Sequence, residues 1–169
     1  MNDHIISLQK RALVGQWHFS ERSDSEMRIW VDKKWKSLLG YMSIVVWLLQ
    51  GWYSFHFLSQ DDLHKIKAIP WIDGHSFLEL HYWFIGFNSL NNTPQSKLIW
   101  VKLSGFPINL WTKQALMDIG NVIGKFVYVD PWCLGAPDKR IAWILIEKEY
   151  RGGFLDHITL HWGETPLTQ

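Results

Sequence analysis

Gln50-Gly51-Trp52-Tyr53-Ser54-Phe55-His56-Phe57 decides the fold, because its side chains alternate and its first two residues form a break. In an extended strand Tyr53, Phe55 and Phe57 share one face, while Trp52, Ser54 and His56 share the other. Three aromatics in strict alternation place the Tyr53 face in the core. Trp52 and His56 are then expected on the opposite surface. Residues 43–49 are rich in β-branched residues and Trp, so this run and the Trp52 strand read as a hairpin about Gln50-Gly51.

Upstream, residues 1–10 read as a frayed lead and Ala12 to Trp17 as a first strand with a glycine in it. Ser23 and Glu26 have capping-box spacing, and Met27, Val31, Trp35 and Leu38 form the apolar stripe of a helix ending at Gly40. Downstream, Ser59 caps a helix carrying Leu63, Ile66 and Ile69, which Pro70 ends. Asp73-Gly74 is a turn. Alternation returns from His75 to Phe84, with Phe77, Glu79, His81 and Trp83 on one face. The predicted order over residues 11–85 is β-α-β-β-α-β, the ferredoxin-like split unit.

Residues 86–97 are polar and turn-rich and read as a linker. After it, Leu98 to Leu103 is a strand, and Thr112 caps a helix with Leu116, Ile119 and Ile123 that closes at Gly124. Phe126 to Asp130, Arg140 to Glu147 and His157 to Trp162 read as three more strands, joined by Pro131 to Asp138 and by Arg151-Gly152-Gly153. The expected fold class is thus α+β, with a β-α-β-β-β unit over residues 98–162 packed on the first unit. Trp100, Trp111, Trp132 and Trp143 are more large rings than so small a core needs, and are expected at an apolar interface shared by both units.

The 169 residues carry 17 basic and 16 acidic groups, for a net charge of +1, so any grip on phosphate must be local. Twelve Trp exceed the needs of one core, which directs some rings to interfaces or a binding surface. Cys133, the sole cysteine, excludes an internal disulfide and fits a reducing nuclear or cytoplasmic compartment. No apolar run is long enough to cross a bilayer, and the start lacks a secretory leader's apolar stretch, so no membrane association is expected. Eight His invite a metal or acid–base reading, but no His-Glu-x-x-His element, nucleophile elbow or phosphate loop occurs. No cofactor, metal site or catalytic residue is expected.

The Trp52 to Phe57 strand resembles the third-strand motif of an RNA-recognition-type sheet, with Ser54 where a second aromatic would stand. A wider resemblance rests on Leu13-Val14-Gly15, Phe55-His56-Phe57, Ile69-Pro70-Trp71, Ile99 to Leu103, Gly105-Phe106-Pro107, Leu110-Trp111-Thr112, and Ile123-Gly124-Lys125 through Val129-Asp130. In that order these motifs are similar to the plant domain of unknown function number 4283, from about Arg11 to about Trp162. Ser104 replaces the usual proline, and no zinc knuckle follows Trp162. The resemblance implies a retrotransposon-derived setting and a role in nucleic-acid association, and brings no catalytic or ligand residues with it. Two functions follow. The first is single-stranded RNA or DNA binding on the sheet face through Trp52, His56, Phe77, His81 and Trp83, flanked by Lys33, Lys34 and Lys36. The alternative is a structural or protein-interaction module whose aromatic face is covered by the second unit or in a homodimer.

Overall fold

A computed structural model describes residues 3–91, 96–149, 159–162 and 165–168. The fold is mixed α+β with antiparallel sheets, and the chain divides into two compact units, Met1–Asn92 and Thr93–Gln169.

The first unit begins with helix α1, Asp3–Arg11, where a frayed lead was expected. Strand β1, Ala12–His18, follows directly. Helix α2, Asp24–Leu39, starts at the capping box: Ser23 Oγ accepts from the Glu26 amide, and the Glu26 carboxylate accepts from the Ser23 amide. It stops at Gly40, whose φ of 78° is left-handed. Strands β2, Ile44–Trp47, and β3, Trp52–His56, form the hairpin. Gln50 and Gly51 both have positive φ, the turn geometry that matches strand twist, and Gln16 Nε2 donates to the Gln50 carbonyl at 3.0 Å. Helix α3, Gln60–Ala68, is capped by Ser59. A strand too short to show in the alternation, β4 at Trp71–Asp73, then turns through Gly74 into β5, Ser76–Tyr82.

The five strands lie in the order β2-β3-β1-β5-β4, every neighbouring pair antiparallel. One core lies between this sheet and its helices, built from Leu13, Trp17, Tyr53, Phe55, Leu78 and Leu80 on the strands, Met27, Trp30, Val31 and Trp35 on α2, and Leu63 and Ile66 on α3. Leu38, expected in the stripe, is 41% exposed, and Trp30 takes a core place instead. Gly15 is required at the centre, where a Cβ would stand 2.7 Å from Leu80 Cδ2 and 2.9 Å from the Glu79 carbonyl.

In the second unit β6, Ser96–Ser104, leads through Gly105 and a short 3-10 turn to Thr112, whose hydroxyl caps helix α4, Lys113–Ile123. Strand β7, Lys125–Val129, follows, and the expected plain connection after it contains helix α5, Pro131–Gly135, capped by Asp130. Strand β8, Ile141–Glu149, inserts between the other two, giving the order β6-β8-β7. The first unit has the same arrangement: strand, helix, strand, strand, with the third strand inserted between the first two as β1-β3-β2. The second unit has its own core, in which Leu116, Ile119 and Ile123 of α4 meet Leu103, Val129, Ala142, Ile144 and Ile146. Trp111 belongs to it, whereas Trp132 is 73% exposed and Trp143 is also exposed. A final hairpin pairs β9, Thr159–Trp162, with β10, Thr165–Thr168. The start expected at His157 and the Arg151-Gly152-Gly153 connection lie outside the described residues.

Candidate nucleic-acid interface

Strand alternation puts Trp52, Ser54 and His56 of β3, Phe77, Glu79 and His81 of β5, and Val14, Gln16 and His18 of β1 on the sheet face away from α2 and α3. The expected surface residues therefore do share a face, but the face is not an open aromatic platform. Trp52 is only 4% exposed and Phe77 9%. The Phe87 ring stands edge-on to Trp52 at 5.2 Å, and the His81 ring lies 6.2 Å from it. Phe84 packs on Phe87 at 5.6 Å, so the segment after β5 folds back as a cover. Trp83 is half-buried, and its amide donates to the Ala12 carbonyl.

His56 and His81 are kept apart by β1: His56 is opposite Ala12, and His81 is opposite Val14 on the other side. His56 is half-buried and bonded to Ser54 Oγ at 3.0 Å, and burial lowers its pKa, with His4 adding to the effect. His81 is exposed, but its ring nitrogen pairs with Glu79 at 3.1 Å. The other Glu79 oxygen lies 2.6 Å from His18 Nε2. Burial would raise the Glu79 carboxyl, yet hydrogen bonds from His18 and His81 and their charges outweigh it and hold the group at about 2. This His-Glu-His tie was not foreseen. Glu79 and His81 were already on one predicted face, but His18 joins them only through the β1–β5 register.

Lys33, Lys34 and Lys36 are exposed on α2, and Lys36 pairs with Asp32 at 3.6 Å. Because α2 buries Met27, Trp30, Val31 and Trp35 against the Tyr53 and Phe55 face, these lysines stand on the opposite layer from Trp52. They do not flank the aromatic face. Sequence reasoning also missed Arg22, whose guanidinium lies 4.0 Å over the Trp17 ring while Nη2 donates to Asp73 at 2.6 Å. Among the described residues no cluster of three or more His, Cys, Asp or Glu could hold a metal ion, and no helix is long and apolar enough to cross a membrane. Comparison with family models, with curated proteins and with solved structures finds no match for this chain.

Proposed function

We propose that this chain is a non-enzymatic protein-interaction module that pairs with a second copy of itself along β2. The observation that carries this reading is the edge itself. Residues 42–49 contain no charged side chain, β2 is one of the two edge strands of its sheet, and Met42, Ile44, Val46 and Leu49 are exposed along it. Natural edge strands are guarded by Lys, Pro or bulges, and an unguarded apolar edge is a template for strand addition. Two antiparallel copies of β2 keep their faces aligned only in an even register. The register centred on the strand sets Val45 opposite Val45 of the other copy and Ile44 opposite Val46. A net charge of +1 opposes such association little.

A pairing of so few residues is small against the roughly 1,200 Å² of a stable interface, so association is weak and concentration-dependent. Sedimentation equilibrium over a wide concentration range tests it. Wild type should show reversible dimerisation, and Val46→Lys should abolish it; a monomer at every concentration overturns the reading.

The strand order β2-β3-β1-β5 further supports a ferredoxin-like, RNA-recognition-like split unit to which β4 is added as an outer strand. Single-stranded nucleic-acid binding through Trp52 is the weaker reading, because the buried rings and the lysines on the far layer both count against it. Kinship with the plant domain, and a nuclear or cytoplasmic setting, rest on the sequence motifs and composition alone.

A further inference from the structure

An open cleft of about 420 Å³ lies where the chain passes from β1 into α2, with Ser20, Arg22, Ile29, Trp30 and Lys33 on its walls. Three donors on these lining residues, Ser20 Oγ, Arg22 Nε and Trp30 Nε1, are buried without a hydrogen-bond partner among the described residues. A buried donor left unpaired is costly, and three beside one cleft call for an acceptor. The chain enters the cleft through Phe19, whose φ of 68° is a conformation that a bulky residue rarely adopts and that concentrates at ligand sites. Arg22 is held in place by Asp73 and by the Trp17 ring.

We propose that this cleft binds a ligand bearing one carboxylate on an apolar body. The carboxylate accepts from Arg22, Trp30 and Ser20, Lys33 supplies a cation at the rim, and Ile29 with the Trp30 ring contacts the apolar part. The donor atoms are closed to solvent, so the ligand reaches them as the Ser20 segment yields. Two carboxylates, Glu21 and Glu26, also border the cleft and disfavour a dianion such as phosphate. Glu26 is already engaged, accepting from the Ser23 amide and hydroxyl at 2.8 Å. A free small acid and the C-terminus of a peptide share this chemistry.

The test follows the indole N–H resonance of Trp30 in ¹⁵N-labelled protein, identified by its loss in Trp30→Phe. Benzoate, benzamide, inorganic phosphate and a blocked dipeptide with a free or amidated C-terminus are titrated in turn. A saturating shift with benzoate or the free-acid dipeptide, weakened at least about tenfold by Lys33→Ala, is the expected result. Whichever of those two probes binds identifies the source. No saturating shift with either acid, equal binding of benzamide or phosphate, or an unchanged affinity in Lys33→Ala overturns the proposal.

Discussion

Glu79 accepts from His18 at 2.6 Å across the β1–β5 pair, and its second oxygen lies 3.1 Å from His81 on its own strand. Its folded-state pKa, about 2, lies below the ordinary 4.5, so the carboxylate stabilises the fold fully above about 4.5. That contribution is lost as the pH falls from 4.5 toward 2. Replacing Glu79 by Gln should cost about 1.5 to 3 kcal/mol at pH 6, and the gap from wild type should close on acidification. Urea midpoints measured from pH 6 down to pH 2 check this; a gap that stays constant would show that the tie carries no pH-linked stability.

Trp35 is fully buried and surrounded by rings, with Phe55 at 4.9 Å, Trp71 at 5.6 Å and Trp30 at 6.0 Å. Trp35→Ala should destabilise the first unit by about 3 to 5 kcal/mol. Leu38→Ala, on the same helix but outside the core, should change stability by less than about 0.5 kcal/mol. Denaturant titration of both variants distinguishes a core position from a helix-face position that shares its spacing.

Gly124 ends α4 for a reason other than Gly40's at the end of α2. Its backbone is extended, with φ at −165°, but a Cβ there would stand 2.6 Å from the Glu147 carbonyl of β8. At Gly40 nothing lies within 4 Å of such an atom, and only the left-handed φ is at stake. Gly124→Ala should therefore cost about 1 to 3 kcal/mol through displacement of β8, against about 1 kcal/mol for Gly40→Ala. Chemical shifts in β8 should move in the first variant and stay put in the second.

What the sequence made legible was local. Ser23, Ser59 and Thr112 announce their helices because a cap and the turn it serves lie within three residues. The core face of β3 was legible because alternation needs no partner. Helix α1 was hidden by its polar composition, and β4 by its three-residue length. The lysines of α2 could have been placed correctly. A helix joining two strands of one sheet packs on the face those strands bury, so burial of Tyr53 and Phe55 already sends Lys33, Lys34 and Lys36 to the layer away from Trp52. The burial of Trp52 itself was not legible, because its cover, Phe87, comes from a segment that read as linker.

That cover yields the last prediction. If Phe87 shields Trp52, removing either ring should leave the other partly exposed, and the two losses should not add. Trp52→Ala and Phe87→Ala should each destabilise, the first by about 3 to 5 kcal/mol and the second by less, and the double variant by less than the sum. Single-stranded oligonucleotide binding at low salt should be the same in wild type and Trp52→Ala, since a ring enclosed by Phe87 and His81 offers no face to a base. Acrylamide quenching of Trp52 fluorescence, taken as the difference between wild type and Trp52→Phe, should be weak in wild type and should rise in Phe87→Ala. Strong quenching in wild type, or oligonucleotide binding that Trp52→Ala removes, would return the sheet face to its role as a stacking surface.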